Sequence, residues 1–184
     1  LNIGAGSGVI ESEIGKISKD VYAVDIVDER IIKDNFIFKK TEDEKLPFRD
    51  NKFDIIISNH VMAHVRDDNI HLKEIRRVLN KEGIVYLSML NRLWPKEPNF
   101  NLLFLSWLPK KIADFYVKLS GKGRCYNVNP LTYNILLKKI SRYFTYEDIT
   151  IKIIRQKFPM PHLIYRMFKM FSPVWILILK KKGR

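Results

Sequence analysis

Apolar positions along this chain recur with two periods, and the periods alternate. Ile10, Ile14 and Ile17 fall at i, i+4 and i+7, predicting a helix from about Val9 to Lys19. Val21 to Ile26 is a compact apolar run, predicting a buried strand that ends near Asp25. A short helix is expected over Asp28 to Lys33, a strand over Phe36 to Lys40, and a strongly apolar strand over Phe53 to Ser58. Leu72, Ile75, Val78 and Leu79 line one side of a further helix, with Gly83 as its expected terminator. Ile84 to Leu90 supplies a fifth strand. Strands alternating with helices predict a parallel sheet covered on both faces.

Beyond Asn91 the rhythm changes. Residues 92–109 hold three prolines, two tryptophans and two phenylalanines, which is loop chemistry with apolar anchors. Ile112, Phe115, Tyr116 and Leu119 predict an amphipathic helix that stops at Gly121. Leu136, Ile140, Tyr143 and Phe144 mark another. Ile149 to Arg155 is expected as strand six, Val174 to Leu179 as strand seven. Between them Ile164, Met167, Phe168 and Phe171 stripe a predicted helix. With no internal repeat or linker, the chain is expected to form one domain. Its parts are a ligand-binding core (1–91), a lid or substrate region (92–147) and C-terminal strands with a helix (148–184). The opening strand already ends at Ile3, so its start is expected upstream of Leu1.

Composition narrows the partners. The net charge of +13 is unevenly placed. Residues 1–92 carry 15 Lys and Arg against 16 Asp and Glu, whereas residues 93–184 carry 18 against 4. A half at +14 points to an acidic partner, or to a lysine-rich solvated face. The lone Cys125 excludes an internal disulfide and a multi-cysteine metal site, and fits a reducing cytoplasm. The longest apolar run is far short of the roughly 20 residues that span a bilayer.

The most specific chemistry lies at the start. Leu1-Asn2-Ile3-Gly4-Ala5-Gly6-Ser7-Gly8 ends a strand and opens a helix with three glycines at alternate positions. Lacking Cβ atoms, they let a ligand approach the backbone and let the chain turn through torsions other residues avoid. The spacing is G-x-G-x-G; a dinucleotide fingerprint needs its third glycine where Val9 stands. In open α/β sheets ligands gather at the carboxyl ends of strands. Asp25 ends strand two there, placed to take both hydroxyls of a ribose.

These residues resemble motif I of the class I S-adenosylmethionine (SAM) methyltransferases of the small-molecule type. Three later segments extend the resemblance. Glu42-Asp43-Glu44-Lys45-Leu46-Pro47-Phe48 followed by Phe53-Asp54 is similar to the family's acidic-x-x-x-L-P-F and F-D pattern. Ser58-Asn59-His60-Val61-Met62-Ala63-His64 resembles its strand-four exit, with Ala63 where glutamate is common. Glu74-Ile75-Arg76-Arg77-Val78-Leu79 through Gly83 resembles its E-x-x-R-V-L helix and turn. The resemblance covers about residues 1–90. It implies an α/β, Rossmann-like doubly wound sheet of seven strands, mostly parallel with an antiparallel last strand, plus a helical lid. It implies SAM as cofactor, held by Asn2, Gly4, Ala5, Gly6, Gly8, Asp25, Ile26, Glu42 or Asp43, and Asn59. Asn2 stands where the family carries an acid.

Methyl transfer is in-line displacement at a sulfonium carbon, so the protein mainly positions the nucleophile and excludes water. A hydroxyl acceptor benefits from a general base near neutral pH, and His64 and His60 are the candidates. His71 and His162 are expected to be structural or exposed. No metal-ligand spacing is present. Ser58-Asn59-His60-Val61 lacks the N-P-P-Y-like exit of adenine methylation, which argues against DNA. The expected activity is O-methylation of a small-molecule, glycan or lipid-linked acceptor; an RNA methyltransferase and a non-catalytic binding module are the alternatives. Trp94, Phe100, Phe104 and Trp107 either contact an apolar acceptor or pack the lid. The basic half and the 162–171 stripe add an expected anionic membrane surface as partner, placing a cytoplasmic protein peripherally at the inner face.

Overall fold

The computed structural model describes residues 1–157 and 172–183. Seven strands form the main sheet: β1 (Asn2–Ile3), β2 (Tyr22–Asp25), β3 (Ile37–Lys40), β4 (Phe53–Asn59), β5 (Leu79–Leu90), β8 (Phe144–Asp148) and β9 (Val174–Lys181). Their order is β3-β2-β1-β4-β5-β9-β8. The first five pair in parallel, while β9 lies antiparallel between β5 and β8. The strand order reverses across β1 and β4, which opens a crevice at their carboxyl ends. The α/β sheet with one reversed last strand agrees with the sequence.

The helices are α1 (Val9–Gly15), α2 (Asp68–Val78), α3 (Lys110–Leu119), α4 (Tyr133–Ile140) and α5 (Thr150–Lys157). A small hairpin, β6 (Lys96–Glu97) with β7 (Leu102–Leu103), sits in the region after β5. Helix α2 follows its sequence closely. Asp67 caps it by accepting from Asn69 N at 2.8 Å and Ile70 N at 3.3 Å, and Leu72, Ile75 and Val78 are buried. These side chains join one continuous core with Ile56, Val85, Leu87, Leu136, Trp175 and Leu177. Leu102, Leu105, Ala113 and Val117 extend the same core into the 92–147 region.

The Leu46-Pro47-Phe48 segment is a packing device. Phe48 stands edge-on to Phe53 at 4.8 Å between ring centroids and to Tyr22 at 5.5 Å. Arg77 ties the segment to α2. Its guanidinium donates to Leu46 O (2.8 Å), Phe48 O (2.6 Å) and Asp50 Oδ1 (2.9 Å), and pairs with Glu74. Glu74 in turn accepts from Leu46 N at 2.9 Å.

Several expected elements differ. Asp28–Lys33 is not helical, because Ile31 N and Ile32 N both donate to Ser7 O, at 2.9 and 3.0 Å, instead of to carbonyls four residues back. Helix α1 stops at Gly15 and buries Glu11 and Ser12, leaving Ile10 and Ile17 exposed. Gly83 does not terminate α2, which ends at Val78 with Leu79 already extended; Gly83 lies within β5, where a Cβ would meet Asp54 O at 2.9 Å. The expected helix ending at Phe144 ends at Ile140, and Phe144 opens β8. Residues 149–155 are not a strand: Thr150 begins α5, its N–H accepted by Asp148 Oδ1 at 3.0 Å. The sixth strand therefore lies one element earlier than expected. On α3 the buried residues are Ala113 and Val117, not the predicted Ile112, Phe115 and Leu119. The striped segment around residues 162–171, His162 included, lies outside the described residues.

Replacing Arg77 with Leu removes its bonds to all four partners and strands the Phe48 carbonyl, while Leu46 O keeps its bond from Phe48 N. The expected cost is about 2–3 kcal/mol of stability in urea unfolding.

Candidate active site

The site begins where β1 runs into α1. Gly4, Gly6 and Gly8 all have positive φ, at 82°, 48° and 81°. A Cβ on Gly4 would lie 2.5 Å from Val61 Cγ2, and one on Gly8 would lie 2.2 Å from Ile32 O. A Cβ on Gly6 would meet nothing within 4 Å, because it would project into the cleft that Gly6 lines. Gly4 and Gly8 are thus required by close neighbours as well as by their torsions, whereas at Gly6 the positive φ alone disfavours a side chain and the space above it is open. Asp25 clamps the turn: Gly6 N donates to Oδ2 at 3.1 Å, and Ile26 N to Oδ1 at 2.7 Å.

The cleft has a volume of about 430 Å³, within the range of about 300–1,000 Å³ for small-molecule sites. It brings together Gly4, Gly6, Asp25, Ile26, Glu42, Asp43, Asn59, His60 and His64. Asn2, Ala5 and Gly8 do not line it; they are buried at the turn. The structure adds Thr41, Glu44, Arg66 and His71, which sequence reasoning did not single out for the site.

The acidic bend after β3 sorts its carboxylates by backbone demand. Asp43 Oδ1 accepts from Lys45 N at 2.7 Å, and Thr41 Oγ1 donates to Asp43 O and Lys45 O. Glu44 Oε1 accepts from Arg66 N at 2.7 Å. Glu42 makes no hydrogen bond among the described residues, so its carboxylate stays available to a ligand.

Three histidines meet at the other end. His60 leaves β4 with φ 63°, a left-handed torsion uncommon for a residue with a Cβ. Its backbone N donates to Ser88 Oγ at 3.0 Å. Ser88 Oγ gives its one proton to Asn59 Oδ1 at 2.6 Å, so it can only accept from His60 Nδ1, 3.4 Å away. That arrangement favours the proton on Nδ1 and leaves the Nε2 lone pair free. His64 Nε2 lies 3.4 Å from Asn99 Nδ2 in the β6–β7 hairpin, linking the hairpin to the cleft. Burial lowers the pKa of both rings, and repulsion from His64 lowers His60 further, so both are neutral at pH 7.

His71 is nearly inaccessible and its Nε2 lies 3.0 Å from Ser58 Oγ. The sequence left it structural or exposed; it sits on α2, is buried, and lines the cleft. Glu11 was hidden by the apolar residues around it. It is 1% exposed and accepts from Asn2 Nδ2, which also donates to Gly4 O at 3.4 Å. Asn2 therefore supports the turn from beneath.

A protein-family model described as a methyltransferase domain matches residues 1–87. A ubiquinone biosynthesis O-methyltransferase of Bartonella tribocorum is 29% identical over 128 residues, covering 62% of this chain and 51% of that protein. An uncharacterized protein of Methanocaldococcus jannaschii is 31% identical over 120 residues, covering 61% of this chain and 53% of that one. The chain spans about half the length of the curated relatives it matches. A solved SAM-dependent methyltransferase of Methanosarcina mazei aligns over 100% of this chain and 92% of its own, with TM-score 0.65 at 19% identity. A Pyrococcus horikoshii protein aligns over 99% and 81%, with TM-score 0.67 at 18% identity. Residues 1–87 thus match a methyltransferase domain, and the chain as a whole has the fold of a solved SAM-dependent methyltransferase. The residues fit SAM, the cofactor of such proteins: an open cradle over Gly6, the carboxylates of Asp25 and Glu42 at the ends of the adjacent strands β2 and β3, and Ile3, Ile26 and Leu46 as apolar walls.

Burial holds His71 at about 4, with Glu44 and Asp68 opposing that shift. In the unfolded chain it titrates near 6.5, so the unfolded state takes up the proton first as pH falls. Stability is therefore full above about pH 6.5 and declines toward pH 4, by about 2 kcal/mol at pH 5. Urea unfolding at the two pH values checks this, and His71→Gln is expected to flatten the difference. Gly8→Ala is expected to destabilise the fold by about 2 kcal/mol or more, because its Cβ meets backbone at a strained φ.

Proposed function

We propose that the protein transfers a methyl group from SAM to a hydroxyl oxygen of a small-molecule, glycan or lipid-linked acceptor. The observation that carries this reading is one cleft in which Asp25 and Glu42 face two neutral histidines, His60 and His64. The relatives named as ubiquinone biosynthesis O-methyltransferases support oxygen as the acceptor atom.

Each residue has a part that its geometry supports. The Asp25 carboxylate, already fixed by two backbone N–H groups, has lone pairs left for ribose hydroxyls. Glu42 accepts from the adenine amino group, while Asp43 is occupied by its own turn. Gly4 and Gly6 admit the ligand to the backbone, and Asn59 is held by Ser88 at the cleft's edge. SAM, when bound, supplies an electrophilic methyl group. His60 takes the acceptor hydroxyl proton at Nε2, because Ser88 directs Nδ1 toward the donor role. His64, tied to Asn99, orients the acceptor under the lid or serves as the base in its place.

Calorimetric titration with SAM, followed by tritiated-methyl transfer into fractionated lipid, glycan and RNA pools, tests the reading. Asp25→Ala is expected to weaken cofactor binding about 10-fold or more. His60→Gln is expected to lower kcat about 100-fold while leaving cofactor affinity within about twofold. Because burial depresses both imidazoles, activity is expected to persist to pH values below about 6.5 and to fall as the base becomes protonated. Label appearing in RNA alone, or SAM binding with no transfer to any pool, overturns the reading.

A further inference from the structure

The region after β5 displays an apolar face that the core does not use. On α3, Ile112, Phe115 and Leu119 stand at i, i+3 and i+7 and are 53%, 65% and 74% exposed. The opposite side of the helix carries the buried Ala113 and Val117. Just before α3, the rings of Phe104 and Trp107 meet at a tilt of 59° with centroids 4.8 Å apart, and each residue is about half exposed. Phe104 holds a left-handed φ of 55°, and Leu103 beside it is also exposed. Clustered exposed aromatic and aliphatic side chains of this extent mark a contact surface.

Its charges identify the occupant. Lys110, Lys111, Lys118, Lys122 and Arg124 are exposed on or beside α3, against one acid, Asp114. Asp114 is already committed to Lys110 and to Tyr126 N. Helical spacing sets Lys111 and Lys118 on one flank of the apolar stripe, where long stems can follow the surface while the ammonium groups reach outward. A second copy of this chain would oppose like charges across the contact. Nucleic acid would match the lysines but leave Ile112 and Leu119 in water. Hydrocarbon beneath an anionic headgroup layer satisfies both sets. Among the described residues no helix is long and apolar enough to cross a membrane, so the contact is with the surface.

We propose that α3, together with the Leu103–Trp107 segment, is a docking face for an anionic lipid bilayer. This deepens the reading of a lipid-linked acceptor, but the docking is measurable without turnover. The face is continuous with the cleft, because the hairpin that places Asn99 3.4 Å from His64 leads directly into Phe104.

The test is co-sedimentation of the full chain with phosphatidylcholine vesicles, with and without about one-third phosphatidylglycerol. Retention is expected only with the anionic lipid, falling several-fold between low and physiological salt. Phe115→Ser with Leu119→Ser is expected to lower the partition coefficient at least 10-fold. Lys111→Glu with Lys118→Glu is expected to abolish the preference for anionic lipid. Ile17→Ser, at an equally exposed apolar position away from α3, is expected to change nothing. SAM titration of each variant reports whether the fold and cofactor site are intact. Retention unchanged by the α3 substitutions overturns the proposal, as does a stable dimer that those substitutions dissolve. Vesicle binding without methyl transfer to lipid-linked acceptors upholds the docking face and overturns only the lipid-linked choice of acceptor.

Discussion

Everything in the cleft depends on a backbone that turns left-handed three times in five residues. Gly4, Gly6 and Gly8 achieve this only because nothing extends from their Cα atoms. Once formed, the turn organises its surroundings. Asp25 is held by its amides, the Asp28–Lys33 stretch gives up helical bonds to reach Ser7 O, and Val61 packs over Gly4. Substituting any other residue at Gly8 sets a side chain against a backbone oxygen that has no room to retreat.

Polarity in the site is managed by prior commitment. Asp43 serves the backbone of its own bend and Glu44 the backbone N–H of Arg66, which leaves Glu42 as the carboxylate of the bend able to meet a ligand. Ser88 spends its single proton on Asn59, which biases the His60 tautomer. Burial keeps all three cleft histidines neutral at pH 7. The cleft therefore gathers the carboxylates of Asp25 and Glu42 together with the neutral imidazoles of His60 and His64.

The region after β5 combines two roles. Its inner side chains, Leu102, Leu105, Ala113 and Val117, complete the core. Its outer ones remain in water with lysines beside them. A helix with apolar residues on both sides has one side available for a partner, and α3 shows which one packs.

The parallel β-α order, the glycine turn and the acidic bend were legible in the sequence, because each rests on local constraints: a two- or four-residue period, or a missing Cβ. Helix α1 was legible as a helix but not in its burial, since three isoleucines in register concealed Glu11, which turns inward to meet Asn2. Likewise residues 144–155 carry apolar side chains suited to either period, and pairing with β9 decided that Phe144–Asp148 is the strand. The cleft membership of His71, the availability of Glu42 and the tautomer of His60 all depend on atoms distant in sequence. The sequence by itself determined the fold class, the turn and the residues at strand ends, because steric and periodic rules act within a few residues. Only the tertiary structure decided which polar groups are already satisfied and which apolar faces stay exposed, because both depend on what the rest of the chain brings alongside.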